Sequence, residues 1–149
     1  MEWDQELLNI FDIPASMLPE VCSSYAKFGL LSRKSSTIPI TSMIGDQQSA
    51  LVGQECFNYG DMKATFGTGC FLMVNSGQKP KSSKSGLLST IGYELQGSIS
   101  YALEGSIFSA GTTIQWLRDN MKFFKDSHNS IEFLSSLGES NGVLFIPAF

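Results

Sequence analysis

Residues 60–77 read GDMKATFGTGCFLMVNSG. Met62, Ala64 and Phe66 alternate with Lys63 and Thr65, which predicts a half-buried strand with its apolar residues turned inward. Phe71 to Val74 is almost wholly apolar and reads as a central strand running back. Between the two arms lies Gly67-Thr68-Gly69. Glycines on both sides of a hydroxyl permit a sharp reversal, and they let backbone N–H groups come close to an anion.

Upstream, Ile38 to Ile44 has the β-branched content of a buried strand. It stops at Gly45-Asp46, and from Asp46 to about Phe57 the pattern turns helical, with Ala50, Leu51 and Gln54 on one side. Asp46 therefore sits where a strand ends and a helix begins. That place gathers ligand sites in α/β folds, beside free helix N–H groups; an N-cap is the other reading of the same aspartate. Earlier still, residues 2–11 read as a helix broken by Asp12-Ile13-Pro14. A short turn follows to Met17 or Leu18, and then a polar loop over 21–36 with one short strand near 25–31. Arg33-Lys34 reads as a solvated corner.

Downstream, residues 78–85 form a polar loop. Strands are predicted over 86–91 and 99–103, joined by a turn at Gln96-Gly97. Ile107, Ala110, Ile114, Leu117, Met121 and Phe124 recur at steps of three and four, the spacing of an amphipathic helix, with Ser106 as its N-cap. Gly111 falls inside this helix, where glycine costs about 1 kcal/mol relative to alanine. Either close packing or a ligand against the backbone accounts for it. His128 reads as a surface residue and Ser130–Leu137 as a short helix. Residues 142–149 read as an apolar strand reaching the last residue. With an apolar element at each end, the chain reads as a piece of something larger.

The 149 residues suffice for one ordinary domain, and 42% hydrophobic with 16% charged residues is the balance of a globular chain. A net charge of −4 argues against nucleic acid or an anionic membrane surface as a bulk partner. Cys22, Cys56 and Cys70 are widely spaced, with no CxxC pair, so no metal site is expected. Reduced thiols point to the cytoplasm. No apolar run approaches the roughly 20 residues that span a bilayer, and the acidic start MEWDQELLNIF is unlike a signal peptide.

From Gly45-Asp46-Gln47-Gln48 onward the chain resembles the glycerol kinases, members of the FGGY carbohydrate kinase family. The resemblance runs through Phe66-Gly67-Thr68-Gly69-Cys70-Phe71, Gly86-Leu87-Leu88 and Tyr101-Ala102-Leu103-Glu104-Gly105. It continues through Ile114-Gln115-Trp116-Leu117-Arg118-Asp119 and Asn141-Gly142-Val143 to Ile146-Pro147-Ala148-Phe149. Ile13-Pro14 and Met17-Leu18-Pro19-Glu20-Val21 match upstream. It implies an α/β, ribonuclease-H-like fold of the actin/hexokinase ATPase type, incomplete here, with a mixed sheet and flanking helices. Residues 1–53 would be the end of the first family domain and 54–149 the start of the second, with the helix of Asp46 bridging them.

The same resemblance implies ATP-dependent phosphorylation of glycerol to sn-glycerol 3-phosphate. Asp46 would be the general base, Gln47 a hydrogen-bond partner of a glycerol hydroxyl, and Phe71 the residue packed on the glycerol carbons. Gly67 and Thr68 would contact the terminal phosphates of ATP, and Gly111 and Gln115 would lie along the nucleotide. Mg²⁺ would be held by ATP and by residues outside these 149. Other family parts, including the first-domain phosphate loop, the Arg-Glu pair of the glycerol site and the adenosine segment, have no counterpart here. The full-length form would be a homo-oligomer, with neither nucleic acid nor membrane as partner. Another FGGY sugar kinase, or a non-catalytic remnant, stays open as an alternative. Bacterial members bind fructose 1,6-bisphosphate through a Gly- and Arg-bearing loop; Ser35-Ser36-Thr37 stands there instead, which puts that regulation in doubt.

Overall fold

The computed structural model describes residues 1–126 and 128–148. Helix α1 (Gln5–Ile10) starts at Asp4, whose carboxylate accepts from the Leu7 amide at 3.0 Å. It ends where Ile13 N donates to Leu8 O (2.9 Å) and Asp12 N to Asn9 O (3.3 Å), with Asp12 at φ +53°. This paired closure is a Schellman motif. A 3₁₀ turn over Ala15–Met17 follows, and the Trp3 indole N–H donates to the Pro19 carbonyl at 2.8 Å, holding the two ends of this segment together.

Strands β1 (Tyr25–Arg33) and β2 (Ser36–Ser42) form an antiparallel hairpin of their own, turning at Lys34-Ser35. The sequence placed a short strand within β1 and a buried strand at Ile38–Ile44. The strands are there, but β2 is exposed along its whole length. A two-stranded ribbon has no second layer, so Ile38 and Ile40 keep contact with solvent. Arg33 and Lys34 lie exposed at the corner, as expected.

Helix α2 (Asp46–Gly53) begins after Gly45, whose backbone is extended at φ −62°, ψ 151°. The N-cap is thus Gly45, and Asp46 is the first helical residue rather than the cap. The helix stops four residues earlier than its sequence pattern does. Glu55 takes the left-handed conformation at φ +57°, while Cys56 N and Glu55 N donate to Leu51 O (3.0 Å) and Val52 O (2.9 Å). The stop is a second Schellman closure, hidden in the sequence because a glutamate occupies the position glycine usually takes.

The second sheet has the order β3-β4-β6-β5, from β3 (Met62–Phe66), β4 (Cys70–Gly77), β5 (Leu88–Leu95) and β6 (Ser98–Ile107). All its pairs are antiparallel, as is the β1–β2 hairpin, so among the described residues the sheets are antiparallel and not the mixed sheet that the resemblance implies. β4 is interior, as its apolar run predicts. β5 and β6 join at Gln96-Gly97, with φ +52° and +80°, the signature of a two-residue type I′ turn. The core gathers Leu51 of α2, Cys56, Met73, Tyr93 and Ala102 on the sheet face that α2 covers. Asn75 is buried there too. Its amide donates to Cys56 O at 2.9 Å and its oxygen accepts from Gly77 N at 2.9 Å, pinning the α2–β3 connection to β4.

Two expectations fail in the sheet. In β3 the faces are reversed: Met62, Ala64 and Phe66 point to solvent, and Lys63 is buried with only 4% of its surface exposed. Lys63 pairs with Met73, a core residue, and cross-strand partners share a face. A two-residue period then fixes every other residue of β3. The long helix predicted from Ser106 is instead the end of β6, and α3 spans only Gly111–Asp119. Ser106 and Ile107 pair with Phe71 and Cys70, so ladder bonds override the helical spacing. α4 (Asn129–Ser136) follows as expected, and His128 is exposed. The apolar stretch 142–148 is irregular and not a strand, because nothing among the described residues pairs with it; Phe149 lies outside those residues. Phe145 instead meets Trp116 of α3, with ring centroids 5.9 Å apart.

Leu51→Ala in the 149-residue chain is expected to lower the unfolding free energy by about 2–5 kcal/mol, as a fully buried leucine does, measured by urea titration. Ile38→Ala on the open hairpin should change it by less than about 1 kcal/mol. Equal losses would show that α2 does not dock as described.

Candidate functional site

The turn Gly67-Thr68-Gly69 connects β3 and β4 and is held by α3. Gly111 N donates to Gly67 O at 3.0 Å, and Ala110 N and Thr112 N donate to Thr68 O at 3.0 and 3.2 Å. The Thr112 hydroxyl adds a bond to the same Thr68 oxygen at 3.1 Å. The free N–H groups of the helix start are thereby spent on the turn's carbonyls. The Thr68 N–H has no hydrogen-bond partner among the described residues.

This arrangement needs glycine at two places. A Cβ on Gly111 would run into the Gly67 carbonyl oxygen and stand 3.2 Å from its carbon. A Cβ on Gly69 would stand 2.6 Å from Ile107 O and 3.3 Å from Phe108 O. Both obstacles are backbone, which cannot swing aside as a side chain can. Of the two readings open for Gly111, packing against the turn is sufficient by itself. Gly111 is also the first residue of α3 rather than an interior one. Gln115, one turn further along, is exposed and lies on the same helix side at i+4.

Asp46 and Gln47 open α2. Asp46 is exposed, and its Oδ1 accepts from the Gln47 backbone N–H at 2.8 Å. The Gln47 side chain reaches the sheet, where Lys63 Nζ donates to its Oε1 and also to Thr65 Oγ1 at 2.9 Å. Thr65 pairs with Phe71 across β3–β4, which puts half-buried Phe71 on the face carrying Lys63. The strand that anchors Gln47 runs one residue past Thr65 into the glycine turn. Asp46, Gln47 and Phe71 are thus brought to one sheet face, and Gly67, Thr68 and Gly111 to the tip of the same two strands.

Lys63 is the member of this group that alternation along β3 assigned to solvent. Its ammonium is held below its ordinary proton affinity by burial, opposed by the carboxylates of Glu104 and Asp46. Glu104 lies in the row Lys63–Met73–Glu104 across β3, β4 and β6. Register is the signal that finds these residues, and register is not written in a five-residue strand. Burial likewise pushes the Cys56 thiol up, with Asp61 adding to the effect. Among the described residues no group of three His, Cys, Asp or Glu gathers to hold a metal ion.

Sequence models of the FGGY family of carbohydrate kinases match nearly the whole chain: the N-terminal domain over residues 1–53 and the C-terminal domain over 62–149. The chain belongs to the FGGY family of carbohydrate kinases. Within it, the chain is similar to glycerol kinases. It is 51% identical over 150 residues to glycerol kinase 1 of Pseudomonas aeruginosa, covering 99% of this chain and 30% of that protein. It is 52% identical over 149 residues to the glycerol kinase of Alteromonas mediterranea, with the same coverage. The crystal structure of Plasmodium falciparum glycerol kinase with ADP superposes with TM-score 0.88 at 41% identity, over 99% of this chain and 30% of that one. Xylulose kinase from Rhodospirillum rubrum superposes with TM-score 0.71 at 18% identity, over 93% of this chain and 29% of that one, a likeness of fold alone. The fold is therefore the α/β, actin/hexokinase-type one. The chain spans about 30% of the length of the relatives it matches.

Gly111→Ala is expected to destabilise the chain by about 1–3 kcal/mol, as overpacking against backbone does. Gly138→Ala, where an added Cβ meets nothing within 4 Å, should be close to neutral. Thermal unfolding of both variants checks this, and an unchanged midpoint for Gly111→Ala would contradict the clamp.

Proposed function

We propose that this chain carries part of the catalytic cleft of an ATP-dependent glycerol kinase, which forms sn-glycerol 3-phosphate and ADP. The observation that carries the reading is the tie between Gln47 and β3, the strand that leads into the glycine turn. It links an acceptor-hydroxyl site at the start of α2 to a phosphate site at the hairpin tip. The roughly 50% identity to glycerol kinases favours glycerol as the acceptor. Residues 1–53 act as the end of the first family domain and 54–149 as the start of the second.

In this reading glycerol lies against Phe71 with one hydroxyl between Asp46 and Gln47. Gln47 donates to a hydroxyl oxygen, while the Asp46 carboxylate accepts the proton of the attacking hydroxyl as its oxygen bonds to the terminal phosphorus of ATP. The bond from that phosphorus to the bridging oxygen breaks, and ADP leaves with the electron pair. Such a transition state is loose and asks chiefly for positioning and neutralisation of charge. The unpaired Thr68 amide offers one uncharged donor for that purpose, and Gly111 and Gln115 border the path of the nucleotide. Mg²⁺ enters with ATP. No step above runs through it. The free thiols Cys22, Cys56 and Cys70 fit a reducing compartment, the cytoplasm.

The test is glycerol-dependent ADP release, measured on the chain alone and on the chain completed with the flanking segments of the Pseudomonas relative. The completed form is expected to be active and the chain alone inactive. Asp46→Asn should lower kcat by about 10²–10⁴-fold, the usual worth of a general base. An Asp46→Asn enzyme as fast as its parent would remove the aspartate from its role. A completed form that prefers xylulose to glycerol would move the assignment to another sugar kinase of the family.

A further inference from the structure

We propose that Lys63 is a positioning residue that fixes the orientation of the Gln47 amide, so that its NH₂ group faces the acceptor hydroxyl beside Asp46. The inference deepens the glycerol kinase reading and rests on it for the identity of the acceptor. It starts from what a lysine can do. An ammonium has three donors and no acceptor, so whichever atom of Gln47 meets Nζ must be the carbonyl oxygen. The bond from Lys63 Nζ to Gln47 Oε1 thus excludes the flipped amide. Free to rotate, Gln47 would present oxygen to the cleft half the time, and an oxygen cannot donate to a hydroxyl oxygen.

Three further observations support an anchor rather than an incidental contact. Lys63 is 4% exposed, and a buried ammonium is kept only where its donors are used. Its second bond, to Thr65 Oγ1 at 2.9 Å, comes from the same strand face and gives Nζ a second fixed acceptor. The carboxylates of Asp46 and Glu104 offset its burial electrostatically. The lysine therefore joins β3 to the start of α2, with its charge felt by the aspartate but its hydrogen bonds directed to a neutral amide and a neutral hydroxyl.

The experiment is a double-variant cycle in the completed enzyme, using Lys63→Met and Gln47→Ala. Lys63→Met, close in length but without donors, is expected to raise KM for glycerol by about tenfold or more, the loss typical of a hydrogen bond to a charged group. KM for ATP should stay within about twofold of the parent. In the Gln47→Ala background the same change should alter KM for glycerol by less than about twofold, because a residue acting through Gln47 has nothing left to act on. Losses that add, or equal rises in both KM values, would overturn the proposal by making Lys63 merely structural. If Lys63→Met does not fold, Thr65→Val removes the second anchor alone. It should raise KM for glycerol severalfold with KM for ATP unmoved, and no rise would overturn the proposal equally. The side-chain amide resonances of Gln47 give a readout independent of turnover. They should shift and exchange faster in Lys63→Met, and unchanged resonances would refute the anchor even if the completed enzyme phosphorylates glycerol. A completed enzyme that is inactive towards glycerol while these resonances shift would refute only the reaction assigned above.

Discussion

The site is held together by backbone meeting backbone. The carbonyls of Gly67 and Thr68 take the first N–H groups of α3, and Gly111 and Gly69 leave no side chain in the gap. A helix start normally seeks an anion or a polar cap for those groups. Here the turn supplies two carbonyls to them instead, which ties the helix start to the turn.

Against that rigid tip, α2 is held by two different means. Leu51 enters the core with Met73, Tyr93 and Ala102, which sets how close the helix lies to the sheet. Lys63 then fixes the helix start through Gln47. The first interaction is non-directional and tolerates small slides, whereas the second needs Gln47 Oε1 within reach of Lys63 Nζ. The hydrogen-bonded contact thus lies at the end of α2 that carries Asp46 and Gln47.

Much of this was legible in the residues. The glycine turn, the interior position of β4, the Gln96-Gly97 reversal and the start of α2 all follow from local patterns whose physical cause lies within a few residues. What was hidden has equally definite causes. Glu55 in a left-handed helix stop looks like any other glutamate. The i, i+3, i+4 pattern after Ser106 begins inside a strand because ladder bonds to Cys70 and Phe71 outweigh a spacing that costs nothing to mimic. Apolar Ile38 and Ile40 predicted burial, yet burial requires a second layer, and a two-stranded hairpin has none.

The sequence by itself determined the class of the chain and the identity of its candidate chemistry: an aspartate at a strand–helix junction, a glycine-flanked turn, and a resemblance to the FGGY kinases that the family matches bear out. Only the tertiary structure decided which face of β3 is inside, and with it that Lys63 and not Phe66 meets α2. The reason is the two-residue period of a strand. Alternation says that the two faces differ but not which is buried, and that choice is made by the register of Lys63 against Met73 and by a helix that arrives from elsewhere in the chain.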